Sequence, residues 1–389
     1  MSEKKEIELK KDIKIEKTYE EINQKITSGE AVVVTAEEMI NIVEKHGVKY
    51  AAKEVDVVTT GTFGAMCSSG AFFNIGQPDP PIKMERVFLN GVEAYHGNAA
   101  ADFYLGVTKS RSLDDFEYGG GHVLEDLLKG KAIQLIAEAY GTDCYPRKSL
   151  ETKVKLEDFN QAILLNPRNS YERYACAVNG SDHVIHTYMG KLLPNFQNGT
   201  FGGVGELSPL IHDPNFQTIG VGTNIFLGGT QGLIIGEGTQ HSPEGGYSNL
   251  MVKGDLKKMD PEFISGAAIK GYGNSCFIGI GIPIPVLNED IARNCAIRDE
   301  YIFTDVLDYS TGELNRPVLR RVNYAELKSG TIDLDGRKIN VAPTSSIYKA
   351  RIIADTLKKW IQEGIFTINK PWELLSTKTK FRPLEKEYV

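Results

Sequence analysis

The chain has 389 residues, 41% of them hydrophobic and 24% charged, enough to bury a sizeable core in one large domain or two ordinary ones. A formal net charge of −7 argues against a basic nucleic-acid groove. No apolar run approaches the ~20 residues of a membrane helix, and the lysine- and glutamate-rich N-terminus has no apolar core like that of a secretory signal.

Residues 1 to 16 read as a charged, frayed extension, and ordered structure is expected from near Tyr19. Ala31–Val34 reads as a strand, and Thr35-Ala-Glu-Glu38 as a capping box opening a helix that should stop at Gly47. A second strand, Val55–Val58, leads into the glycine-rich turn Gly61-Thr-Phe-Gly-Ala-Met-Cys-Ser-Ser-Gly70. Strand, helix, strand and glycine turn suggest an α/β unit with a site at the strand's carboxyl end.

Gly119-Gly-Gly121 precedes a helical pattern over His122–Lys129, and Ala132–Ala137 returns as a strand that delivers GTDCYPRK at 141–148. Beyond Leu165 the periodicity turns toward β, with strands expected at Tyr174–Val178 and His183–Tyr188. Gly199 to Gly246 holds thirteen glycines with Leu, Ile, Val and Phe between them, which reads as tight turns joining short strands. A last amphipathic helix is expected over Ser346–Gly364. The fold class is α/β or α+β, with a mixed sheet of unknown strand order. One catalytic domain spans 17–370, followed by a tail at 371–389.

Five cysteines and no secretory signal favour a reduced, cytoplasmic setting. Cys144 stands before Arg147 and Lys148, and nearby cations can lower a thiol pKa to ~3.5–7.5. A buried strand-end cysteine whose cations point into water fits equally well. Cys67, among glycines and serines, fits an anion-binding turn or a tight turn that needs small residues. Cys176, Cys276 and Cys295 lie in apolar surroundings and read as packing residues. His183 and His186 form H-x-x-H, but on a strand they would face opposite sides, and no third ligand stands near. His122 falls at a predicted helix start, a place where anions bind. No dinucleotide or ATP loop and no serine-hydrolase elbow occurs, so no cofactor is bound by a recognisable motif.

Several long stretches carry a resemblance: VVVTAEEM, GTFGAMCSSGAFFNIG, AEAYGTDCYPRK, LNPRNSYERYACAVN, the run from HTYMGKLLPNF to LGGTQG, and GEGTQHSPEGG. Over roughly residues 17 to 370 the sequence resembles the archaeal and anaerobic-bacterial homocysteine-biosynthesis family. That family's activity is L-aspartate semialdehyde sulfurtransfer. The resemblance implies that Cys144 carries sulfur as a persulfide and that Cys67 matches a second family cysteine. Many relatives continue into a pair of CBS domains, whereas this chain is expected to be the form without them.

Making a thiol from an aldehyde takes two electrons at carbon, and releasing sulfane sulfur takes two more. The expected sequence is attack of the Cys144 persulfide on the carbonyl, then attack of Cys67 on Cys144 as resolving thiol. The remaining electrons are expected from a small ferredoxin-like iron–sulfur protein, the partner that the resemblance implies. Arg168, Arg173 and Arg147 are candidates for binding the carboxylate of aspartate semialdehyde, since guanidinium matches carboxylate geometry. Each fits a structural ion pair as well. A thiol-dependent acyl or CoA transferase, or a non-catalytic sulfur carrier, are the other readings, and a homo-oligomer stays open.

Overall fold

The computed structural model describes residues 15–170 and 174–384. Its N-terminal part follows from local capping. Helix Tyr19–Ser28 opens at Thr18, whose hydroxyl accepts the Glu21 N–H while the Glu21 carboxylate accepts the Thr18 N–H. The expected box at Thr35 and Glu38 opens helix Ala36–His46 in the same way. Gly47 ends that helix and leads straight into another, Val48–Glu54, which the sequence pattern does not announce. Strands Val33–Thr35 and Val57–Thr59 flank these helices and pair in parallel, as a helical crossover requires.

The centre of the molecule is a nine-stranded sheet. Its main path runs Ile264–Ile269, Gly273–Gly281, Asn224–Leu227, Thr230–Glu237, Asn249–Asp255, Phe159–Ser170, Gly70–Ile75 and Asp102–Gly106, while Thr62–Ala65 pairs with Gly273–Gly281 off that path. All its pairings are antiparallel. The glycine-rich stretch from Gly199 supplies strands and tight turns to this sheet and its neighbour, as its spacing implies.

A six-stranded sheet combines parallel and antiparallel pairs in the order Val318–Asn323, Phe303–Asp308, Cys176–Val178, Asn198–Phe201, Arg337–Pro343 and Thr331–Leu334. A four-stranded antiparallel sheet of Val92–Ala94, Arg86–Leu89, Ile133–Glu138 and Ser149–Val154 carries the GTDCYPRK turn. Helices beside mixed, mainly antiparallel sheets place the fold within the expected α/β or α+β class.

The amphipathic helix Ile347–Gln362 positions the site. Its Ile353, Leu357 and Ile361 are buried with Phe63, Phe226 and Phe263. Gly61 allows the close approach, because a Cβ there would collide with the Ala350 carbonyl. Ser346 caps the helix by accepting the Lys349 N–H, and its own N–H donates to the Phe63 carbonyl at 2.8 Å. Ser345 is thereby held against the strand that leads to Cys67.

The 371–384 segment docks on the nine-stranded sheet's flank: Glu373–Leu374 pairs with Gly220–Val221, and the Ser376 carbonyl lies 2.9 Å from His241 Nε2. Among the described residues no helix is long and apolar enough to cross a membrane.

Candidate active site

Strand Thr62–Ala65 pairs antiparallel with Gly273–Gly281, and the chain then turns at once. The Ser69 N–H donates to the Met66 carbonyl at 3.0 Å, closing a β-turn with Cys67 and Ser68 at its central positions. A β-turn leaves its two central N–H groups unused. Among the described residues those of Cys67 and Ser68 make no hydrogen bond. The turn is fixed to the sheet by the Met66 N–H on the Cys276 carbonyl, at 2.7 Å. This brings Cys67 Sγ to 3.0 Å from the hydroxyl of the fully buried Ser275. The turn thus sets a half-buried thiol beside one buried hydroxyl, with two amides left free to donate to a ligand's oxygen.

Cys67 opens into a cleft of about 400 Å³ between the nine-stranded and six-stranded sheets. Arg168 lines it too. The Arg168 backbone is pinned, its N–H donating to Asn166 Oδ1 at 3.1 Å and its carbonyl accepting from Ser68 Oγ at 3.1 Å. Its guanidinium, by contrast, makes no ion pair or hydrogen bond among the described residues. An unpaired guanidinium facing a cleft is a ready carboxylate partner. A network fixes Asn169 beside it. Since Asn166 Oδ1 accepts from Arg168, the Asn166 amide nitrogen is the donor to Met66 sulfur and to Asn169 Oδ1. Asn169 is therefore oriented with its Nδ2 free. That donor is buried and has no partner among the described residues.

Tyr174, Tyr188, Tyr247 and Tyr272 form the remaining wall. Burial pushes the Tyr174 and Tyr188 hydroxyls up, so both rings stay neutral. Burial also raises Tyr272, reinforced by Cys67 and opposed by Arg168. Thr344 and Ser345 close the far side, with the Gly203 N–H donating to Ser345 Oγ at 3.1 Å. Gly203 has φ +84°, a conformation that disfavours a side chain there.

Cys144 lies elsewhere. It is exposed, in a turn closed by mutual backbone bonds between Thr142 and Tyr145, and its sulfur is 3.6 Å from Thr142 Oγ1. Arg147 points away from it: Nε donates to the Pro80 carbonyl at 2.9 Å and Nη2 to the Asp79 carbonyl at 2.6 Å. Lys83 pairs with the Glu85 carboxylate at 3.0 Å, which raises the lysine's pKa. Asp79–Lys83 follows the end of strand Gly70–Ile75, whereas Cys67 precedes its beginning. Cys144 does not line the cleft that holds Cys67.

Of the residues expected from sequence, the cleft thus unites Cys67 and Arg168. It does not include Cys144 or Arg147, and Arg173 lies outside the described residues. Cys176, Cys276 and Cys295 are fully buried, and burial raises all three thiols, Cys176 to about 12. No metal-binding cluster occurs among the described residues, His183 and His186 included. His122 stands at its helix start, but its Nδ1 accepts the Gly119 N–H, and the Gly120 and Gly121 N–H groups bond to Lys109 and Val107 carbonyls. A larger cleft of about 510 Å³ near Leu210 and Ile297 has no thiol, and its Arg293 pairs with Asp290 at 2.6 Å.

Residues 31–368 match the family model described as "Homocysteine biosynthesis enzyme, sulfur-incorporation". The chain belongs to this family. It is 55% identical over 362 residues to a protein named L-aspartate semialdehyde sulfurtransferase from Methanosarcina acetivorans, covering 93% of this chain and 72% of that protein. A protein of the same name from Methanocaldococcus jannaschii is 54% identical over 371 residues, covering 92% and 72%. A more distant relative from Methanothermobacter thermautotrophicus, named only as uncharacterized, is 30% identical over 329 residues. No solved structure matches. The family's chemistry, incorporation of sulfur, gives the thiol of the cleft its context.

Proposed function

We propose that the chain is an L-aspartate semialdehyde sulfurtransferase, which places persulfide sulfur on the aldehyde carbon and yields L-homocysteine. One observation carries this beyond the relatives' names: a half-buried thiol, Cys67, shares a cleft with Arg168, whose guanidinium has no partner among the described residues. A small carboxylate-bearing aldehyde has a place for each of its ends there.

In this reading the two cysteines divide the work. Cys144, exposed, accepts sulfane sulfur from a donor and becomes a persulfide. The Cys67 thiolate takes the outer sulfur as Cys144 leaves as thiolate, a redox-neutral exchange. The expected resolving attack of Cys67 on Cys144 and this exchange both need the sulfurs to meet, so Cys144 of a second copy or a small carrier thiol bridges the gap. The Cys67 persulfide then attacks the aldehyde carbon, and the oxygen takes a proton near the Cys67 and Ser68 amides. Two electrons cleave the S–S bond, returning Cys67 as thiolate and leaving a thiohemiacetal. Loss of water gives a thioaldehyde, and two more electrons with two protons give the thiol. The four electrons come from an external reductant, proposed to be a small ferredoxin-like iron–sulfur protein.

The test is anaerobic turnover of the purified chain with semialdehyde, a persulfide donor and a low-potential reductant, with homocysteine measured by mass spectrometry. Wild type forms homocysteine and Cys67→Ser does not; undiminished turnover by Cys67→Ser overturns the assignment of the cleft.

A further inference from the structure

We propose that this cleft recognises its substrate as a zwitterionic α-amino acid: Arg168 and the Asn169 amide clamp the carboxylate, and a cage of tyrosine rings holds the ammonium. The inference rests on the functional reading above and deepens it.

Two observations lead to it. The first is the buried Asn169 Nδ2, a donor with no partner among the described residues, locked in orientation by Asn166 and lining the cleft with Arg168, whose guanidinium is likewise unpaired among them. A buried donor is left unsatisfied at a cost unless a ligand completes it. A carboxylate does so with one oxygen on Arg168 and the other on Asn169.

The second is the charge of the lining. An amino-acid ammonium ordinarily finds an aspartate or glutamate, yet among the described residues no acidic side chain lines this cleft. What faces the ligand instead is aromatic. Tyr174 meets Tyr188 at 85° and Tyr247 at 70°, with centroids 6.2 and 6.3 Å apart, and Tyr188 meets Tyr272 at 59° and 6.1 Å. Four such rings lining one cleft offer π surface to an ammonium through cation–π attraction. Tyr188 is braced from behind by a 2.7 Å hydrogen bond to Tyr309. Neutral rings also cost an ammonium less to leave than a buried carboxylate would, which suits a site whose product must depart.

The experiment measures calorimetric binding of two unreactive alcohols to the full chain. L-homoserine keeps both charges of aspartate semialdehyde, and 4-hydroxybutyrate lacks the ammonium. Wild type should prefer homoserine by about 10-fold, the scale of a desolvated cation–π contact. Tyr247→Phe, which keeps the ring, should retain that preference, while Tyr247→Leu should bring it close to one. Asn169→Leu should weaken both ligands alike, since both carry the carboxylate. Equal binding of the two alcohols by wild type, or equal weakening of both by Tyr247→Leu, overturns the cage. Homoserine preference in a protein that makes no homocysteine would leave the cage standing and remove the functional reading.

Discussion

The sulfur of Cys67 lies 3.0 Å from the hydroxyl of Ser275, a residue fully buried on the strand that pairs with the one leading into the thiol's turn. Hydrogen bonds to charged groups contribute about 1.5–3 kcal/mol, roughly 10- to 100-fold in rate if made to the reacting anion. Ser275→Ala should therefore slow homocysteine formation by that factor and slow alkylation of Cys67 at neutral pH. Ser275→Thr should recover part of both rates. Unchanged alkylation in Ser275→Ala would show that the hydroxyl does not support the thiolate.

Arg168 should govern substrate affinity more than the chemical step. Arg168→Met is expected to raise KM for the semialdehyde by at least about 10-fold, and Arg168→Lys by less, because a point charge replaces the planar fork. Since the guanidinium has no partner among the described residues, thermal stability should stay near wild type. A large loss of stability with unchanged KM would make Arg168 a structural residue.

Asp56 supports the fold away from the cleft. Its buried carboxylate accepts from Lys17 at 3.1 Å, Lys25 at 2.8 Å and the Val32 N–H at 3.0 Å, tying the first helix to the sheet. Burial opposes ionisation, but the two lysines and the amide win, and the carboxyl sits below its ordinary range. A depressed carboxyl stabilises above the unfolded value of about 3.9, and that contribution is lost as pH falls through the folded value. Asp56→Asn should cost about 3 kcal/mol at pH 7 and flatten the dependence of stability on pH below about 4. Denaturant titrations across pH 3 to 7 check both signs; parallel curves for the two proteins would contradict the pairing.

Much of the fold was legible because caps and periodicity are local. Thr35 and Glu38 announced their helix, and the spacing of Ile353, Leu357 and Ile361 announced the last one. Helix Val48–Glu54 was hidden because it is short, has no side-chain cap, and follows a glycine that also ends its predecessor. The cleft was legible only through Cys67 and Arg168. Its tyrosines come from four distant segments, and the free donor of Asn169 exists only through the hydrogen bonds of Asn166. Adjacency in sequence suggested that Arg147 serves Cys144, but side-chain direction decides the matter. Arg147 turns to the carbonyls of Asp79 and Pro80.

Cys144 is the exposed thiol, so its loss should be bypassed where that of Cys67 is not. With a small persulfide donor in excess, Cys144→Ser should regain a substantial part of turnover, because the donor reaches Cys67 directly. Cys67→Ser should gain nothing. Rescue of Cys67→Ser and not of Cys144→Ser would reverse the assigned roles.

The most direct test of sulfur passage through these cysteines is peptide-resolved mass spectrometry of the anaerobic chain after loading with a persulfide donor. An adduct of about 32 Da, one sulfur atom, should appear on Cys144 and on Cys67. On adding semialdehyde with reductant, the adduct on Cys67 should disappear as homocysteine forms in equal amount, and in Cys67→Ser the adduct on Cys144 should persist. An adduct confined to other cysteines, or homocysteine formed while the Cys67 adduct stays constant, would contradict the account.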